Sequence, residues 1–243
     1  MSEPKEVVDR AKGGKAAPSS KLLGTDVMSS WILLMRPVED YLIEHNVHPN
    51  VLTVSSLIVS ALAGLLFHVG WIFWAGVVLV AGSNFDMLDG RVARAQGITT
   101  KHGAFFDSCI DRAAEVLVLL GVMSYFRDGV FAYLVFLLMG SALMVSYTKA
   151  RAEGIGVSCD MGIMQRPERI VYLGVASIFN FFGNLISGSL GYGGGDILLK
   201  LSVVVVLVLS VWTAGQRMAH VMGVLKESEA PPGETEEQNR GGS

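Results

Sequence analysis

Residues 51–69 read VLTVSSLIVSALAGLLFHV, a run with one histidine and no formal charge. A helix needs roughly 20 consecutive apolar residues to cross the hydrocarbon core of a bilayer, and this run meets that length. Working outward, comparable runs occupy 71–85, 129–147, 170–190 and 197–215. Between the second and third lies 115–126, apolar but too short to span alone. Joined to the polar residues that precede it, it becomes full length. Six helices are expected, at approximately 51–69, 71–95, 102–126, 129–152, 167–190 and 196–222. Of the 243 residues 51% are hydrophobic and only 17% charged, and the mean hydropathy is +0.47, which argues against a soluble protein. The fold class read from the sequence is an all-α membrane protein with six transmembrane helices.

An amphipathic juxtamembrane helix is expected ahead of the first span. Residues 30–46, SWILLMRPVEDYLIEHN, mix apolar side chains with Arg36, Glu39, Asp40 and Glu44, too polar to span. Such a helix lies on a leaflet or packs on the protein. The chain divides into a disordered tail (1–20), the juxtamembrane helix (21–48), the six-helix domain (49–225) and a disordered acidic tail (226–243). The N-terminus lacks the apolar core of a secretory signal. Cys109 and Cys159 match no disulfide framework or zinc spacing and read as packing residues. Lys and Arg concentrate in short loops on the cytoplasmic side. Here they gather at Arg91, Arg94, Lys101 and Arg112, at Lys149, Arg151, Arg166 and Arg169, and in the N-terminal region. A multi-pass plasma-membrane protein with both termini cytoplasmic is expected, and no nucleic-acid partner.

Against this background residues 86–111, DMLDGRVARAQGITTKHGAFFDSCID, stand out for four aspartates. A charge at membrane depth costs roughly 2.5–3.5 kcal/mol on insertion scales, and four together also repel. Asp86 and Asp89 are three residues apart, Asp107 and Asp111 four, so each pair shares a helix face. The polar turn between them lets the two helices run antiparallel and the pairs face each other. Four facing carboxylates call for a cation, and hard oxygen ligands favour Mg²⁺, Ca²⁺ or Mn²⁺. Gly90, Ala93 and Gly103 leave room for a ligand near backbone, and Arg94 can neutralise phosphate. Metal, arginine and small residues together suggest a diphosphate.

The string D86-x2-D89-G90-x2-A93-R94-x8-G103-x3-D107-x3-D111 resembles, at every defined position, the signature of the CDP-alcohol phosphotransferase family. The resemblance implies a membrane enzyme in which an alcohol attacks the β-phosphate of a CDP-linked lipid and CMP leaves. It implies that Asp86, Asp89, Asp107 and Asp111 hold two divalent ions, Mg²⁺ or alternatively Mn²⁺, and that Asp111 is also the catalytic base. It further implies that Gly90, Ala93, Arg94 and Gly103 serve the CDP-lipid site. HPNVLTVSSL (48–57) is similar to the family's segment at the first span, so Asn50 and Thr53 reach the nucleotide. A helix start with Pro49 in its first turn explains the same residues. The family is usually homodimeric.

The acceptor is read from SYTKARAEGIGVSCDMGIMQRPERI (146–170). Its Lys149, Arg151, Arg166 and Arg169 suit positive-inside topology, but beside a diphosphate site they also suit a second anion pocket. The pattern K-A-R-A-E-G…R-P-E-R resembles the branch of the family that joins CDP-diacylglycerol to inositol 1-phosphate. That branch implies acceptor-phosphate contacts at Lys149, Arg151, Arg166 and Arg169, and at Arg217 from the last helix. Alternatives are a glycerol 3-phosphate acceptor, an archaeal ether-lipid counterpart and, from a different class, an ion or solute transporter. GYGGGD (191–196) reads as a turn, His68 as interfacial, and His102 receives no role.

Overall fold

The computed structural model describes residues 25–189 and 195–229. The expected tail at 1–20 and residues 230–243 lie outside the described residues, as does most of the 191–196 turn. The described residues form seven helices and no strand: α1 (Thr25–Glu44), α2 (Pro49–His68), α3 (Ile72–Ala95), α4 (Lys101–Tyr125), α5 (Val130–Gly154), α6 (Arg166–Ser189) and α7 (Ile197–Glu229). The last departs from expectation, because helix continues through 226–229, where the acidic tail was read to begin.

Local chemistry places the ends. Pro49 opens α2, where its missing N–H costs nothing, and His48 caps it by accepting from Asn50 N–H. The α3–α4 turn needs Gly97 at φ +69, with Ile98 N–H returning to Ala93 O, a left-handed helix stop. Thr100 then caps α4 by accepting from Gly103 N–H at 3.0 Å. Gly103 thus serves a cap as well as lying in the motif.

Five helices, α2, α3, α5, α6 and α7, are long and apolar enough to cross a membrane. At most 39% of the apolar window of any of them is buried within the protein. Their outer faces carry Ile58, Leu62, Phe136, Phe181 and Trp212 exposed, the pattern of helices solvated by lipid. The helix α4 is 25 residues long but carries Asp107, Asp111, Arg112 and Glu115, so it is not among the five.

Packing explains why such a polar helix sits where it does. Helix α4 lies against α2 and α5, α3 against α2 and α6, and α7 against α5 and α6. The core runs through Phe67, Leu79, Val118, Val122, Leu138 and Val203. Gly64 and Gly121 let α2 and α4 approach until their backbones touch, so a Cβ at Gly121 would collide with Gly64. A smaller cluster of Leu52, Leu88 and Val92 receives Leu42, Ile43 and Val47, docking the end of α1 and its following turn on α2 and α3. Glu39 seals that contact by accepting from Arg91 Nε at 2.8 Å and Nη2 at 2.5 Å, while Leu33, Leu34 and Tyr41 of α1 stay exposed.

Candidate active site

Helices α3 and α4 both pack against α2, and the ends of the two that carry the motif bring the aspartates together. Asp86 meets Asp111 and Asp89 meets Asp107 across the two helices. One carboxylate oxygen from each of Asp86, Asp107 and Asp111 can be chosen so that all three lie within 4.8 Å of one another. Asp89 stands outside that triplet. Its Oδ2 accepts from Thr53 Oγ1 at 2.7 Å and its Oδ1 from Gly90 N–H at 2.5 Å. Thr53 is buried, and its hydroxyl lies 2.7 Å from Asp89 Oδ2 and 3.2 Å from Pro49 O, the two acceptors within its reach.

The basic segment enters from α6. Arg166 Nη1 lies 2.5 Å from Asp86 Oδ1 and 2.7 Å from Asp111 Oδ1, bridging the two helices. Asp107 Oδ1 and Arg166 Nε are buried without a hydrogen-bond partner, and Asp111 Oδ1, though close to Arg166, lacks a well-aligned hydrogen bond. Buried polar groups left unpaired cost about 1–3 kcal/mol each, so a cluster with this many calls for a ligand. The three-oxygen donor set is the chemistry of a hard divalent cation.

The other expected cations separate. Arg169 is 1% exposed and forms a bidentate pair with Glu115, Nε to Oε1 at 2.6 Å and Nη2 to Oε2 at 2.9 Å. Arg217, also buried, donates to Met161 O at 2.7 Å and Val145 O at 2.6 Å, tying α7 to α5 and to the segment before α6. Lys149 pairs with Asp160 at 2.6 Å, and Arg151 is exposed at the end of α5. Only Arg166 of the five is seen within the aspartate cluster. Among the residues expected at the CDP-lipid, Arg94 folds back over Gly90, its Nη1 3.3 Å from where a Cβ would stand. Ala93 is half-buried and Asn50 holds the start of α2.

Glu115 escaped the sequence reading because it opens an apolar run. The signal was present: Asp107, Asp111 and Glu115 recur every four residues and therefore share one face of α4.

The profile of the CDP-alcohol phosphatidyltransferase family matches residues 46–213. The phosphatidylinositol phosphate synthase of Mycobacteroides abscessus is 33% identical over 192 residues, covering 76% of this chain and 82% of that protein. The archaetidylinositol phosphate synthase of Methanothermobacter thermautotrophicus is 32% identical over 176 residues, covering 72% and 83%. The crystal structure of Mycobacterium tuberculosis phosphatidylinositol phosphate synthase with CDP-DAG bound superposes with a TM-score of 0.66 at 28% identity, covering 76% of this chain and 92% of that one. The same enzyme in complex with manganese and citrate gives 0.67 at 28% identity, covering 76% and 88%. Matched from just ahead of α2 into α7, and sharing about a third of its aligned residues with such synthases, the chain belongs to the CDP-alcohol phosphatidyltransferase family.

Proposed function

We propose that this phosphotransferase moves the phosphatidyl group of CDP-diacylglycerol to inositol 1-phosphate, releasing CMP and giving phosphatidylinositol phosphate. The observation that carries this reading is Arg166 of the R-P-E-R segment standing between Asp86 and Asp111. A cation-bearing acceptor segment thereby meets the acidic motif at one point. Relatives named for inositol phosphate acceptors support the choice of alcohol.

Asp86, Asp89, Asp107 and Asp111 are the residues that would hold divalent ions, two Mg²⁺ or Mn²⁺ in this reading. Bound there, such ions offset charge on the diphosphate oxygens. The protein's own groups do the rest. Asp111 accepts the proton of the attacking hydroxyl, since an alcohol is a weak nucleophile without a base. Gly90, Ala93, Arg94 and Gly103, with Asn50 and Thr53 behind them, accommodate the cytidine diphosphate. Arg166 meets the acceptor's phosphate, and its buried, unpaired Nε suits an anionic oxygen. Lys149 and Arg151 add positive charge at the entrance.

In this reading α4 is the sixth span, its carboxylates turned inward and its second half apolar. Both termini and the aspartates face the cytoplasm of a plasma-membrane homodimer, supported by the Lys and Arg of the α3–α4 and α5–α6 connections. The archaeal relative supports a second reading that differs only in the lipid, an ether-linked CDP-archaeol in place of the diacyl donor.

The test is CMP release by purified protein in lipid micelles with Mg²⁺ and CDP-diacylglycerol. Rapid release is expected with inositol 1-phosphate. Release with free inositol alone, or with glycerol 3-phosphate alone, would overturn the acceptor, and faster turnover of the ether donor would favour the second reading.

A further inference from the structure

We propose that Asp160 is a specificity-determining residue of the acceptor site, receiving hydroxyls of a phosphorylated polyol beside Lys149, one of the cations expected at its phosphate. This rests on the reading of a phosphorylated acceptor given above. Three of those expected cations converge on the connection between α5 and α6. Lys149 Nζ lies 2.6 Å from Asp160 Oδ1. Arg217 Nε donates to Met161 O at 2.7 Å, and Arg169 Nη1 to Met164 O at 3.2 Å. Asp160 is the one charged side chain in residues 155–165.

The backbone around Asp160 is fixed. Cys159 before it is 1% exposed, and the carbonyl of Met161 after it is held by Arg217. Gly162 adopts φ +117, where a Cβ would collide with the methyl of Thr213. Met164 N–H donates to Thr213 Oγ1 at 3.1 Å. From this anchored chain the Asp160 side chain projects outward, 76% exposed. An exposed ion pair adds little to stability, and a carboxylate next to an anion-binding lysine repels the anion. A carboxylate kept there on a preorganised backbone therefore points to a ligand group that it can hold.

A polyol phosphate supplies such groups. Lys149 has three N–H donors, so it can hold Asp160 and a phosphate oxygen together, which sets the carboxylate beside the phosphate. An ionised carboxylate accepts only, and can take two hydroxyls at once. Glycerol 3-phosphate keeps a single hydroxyl once the other attacks, whereas the inositol ring keeps several, including neighbours of the phosphate-bearing carbon. A site that bonds to substrate hydroxyls discriminates strongly against an acceptor that lacks them. No bond is made or broken at Asp160, and Asp111 keeps the role of base.

The experiment compares wild type with Asp160→Asn and Asp160→Ala, as purified protein in lipid micelles with Mg²⁺ and CDP-diacylglycerol. It reads KM for inositol 1-phosphate and for the CDP-lipid, and the inhibition constant of inorganic phosphate, which probes the anion subsite without hydroxyls. Both variants should raise the KM for inositol 1-phosphate about tenfold, the scale of one lost bond to a charged group. The inhibition constant of phosphate should stay level or fall, because a negative charge beside Lys149 is gone. The KM for the CDP-lipid should stay within about twofold. Asp160→Glu, which keeps the carboxylate, should recover part of the loss.

A KM for inositol 1-phosphate that falls together with the phosphate constant would overturn the proposal, leaving Asp160 as a screen on Lys149. Both rising together would overturn it too, since the pair would then only position the lysine. A rise in the CDP-lipid KM with lower thermal stability would mean that the segment only holds the fold. Variants unchanged in a wild type background that prefers inositol 1-phosphate would remove the Asp160 assignment alone. A wild type that turns over glycerol 3-phosphate and not inositol 1-phosphate would fail the acceptor reading, and this inference with it.

Discussion

Two clusters of polar side chains occupy opposite ends of the helix bundle, and they differ in how completely their groups are satisfied. At the end formed by Tyr125, the second half of α6 and the start of α7, Asp196 is closed off. Its Oδ2 accepts from Tyr125 Oη at 2.5 Å, and its Oδ1 from Asn180 Nδ2 at 2.7 Å and Asn184 Nδ2 at 2.9 Å. Its N–H donates to Asn184 Oδ1 at 3.0 Å, and Asn180 Oδ1 accepts from Leu199 N–H. At the other end Asp107 Oδ1 and Arg166 Nε are buried without a hydrogen-bond partner, and four carboxylates share a space that Arg166 only partly neutralises. A network whose members are all paired rigidifies a structure, and one left partly open stores a cost that a ligand can relieve. The first reads as a fastening and the second as a site.

The largest effect that could break this contrast is at the open cluster. Asp111→Asn should lower CMP release on the order of 10³-fold, as for loss of a general base, with thermal stability held or raised because repulsion among carboxylates falls. A variant near wild-type rate would remove Asp111 as base. At the closed cluster the pattern should invert. Asp196→Asn keeps a side chain that tolerates the left-handed backbone at φ 54 but loses the charge. It should cost about 1–2 kcal/mol of stability in thermal denaturation, the scale of a charged hydrogen bond, with both KM values unchanged.

The pH dependence sharpens the same point. Burial pushes the Asp196 carboxyl up, but the bonds from Tyr125, Asn184 and Asn180 and the charge of Lys200 outweigh it and hold the group below its ordinary value. A carboxyl lowered in the folded state stabilises fully above its unfolded pKa of about 3.9. That contribution is lost as pH falls through the folded value. The stability gap between wild type and Asp196→Asn should thus be full at neutral pH and close below about pH 4. Smallest of all, Tyr125→Phe removes one donor and should cost about 1 kcal/mol. A loss of activity in either variant without loss of stability would join the two ends functionally.

Much of this was legible along the chain. Apolar runs marked the long helices, and the three- and four-residue spacings put each aspartate pair on one face. The α4 helix was legible only as a continuation of its apolar half, since Asp107, Asp111, Arg112 and Glu115 depress its hydropathy. The Asp196 fastening was not legible, because Tyr125 and Asp196 are 71 residues apart. GYGGGD (191–196), which ends on Asp196, read only as a turn. The bond from Thr53 to Asp89 at 2.7 Å was not legible either, because the two are 36 residues apart.

The four cations at Lys149, Arg151, Arg166 and Arg169 show where the boundary falls. Spacing along one helix is a local property, so the sequence by itself determined that Arg166 and Arg169 share a face, that Asp107, Asp111 and Glu115 share another, and that the spans are apolar. Which arginine meets which acid depends on how far α6 is slid and turned against α4, and on the close approaches that glycines such as Gly64 and Gly121 permit. Only the tertiary structure decided that Arg166 reaches the aspartates, that Arg169 is spent on Glu115, and that Arg217 holds backbone carbonyls. A guanidinium's partner is chosen within a few ångströms, and that distance is set by packing between helices.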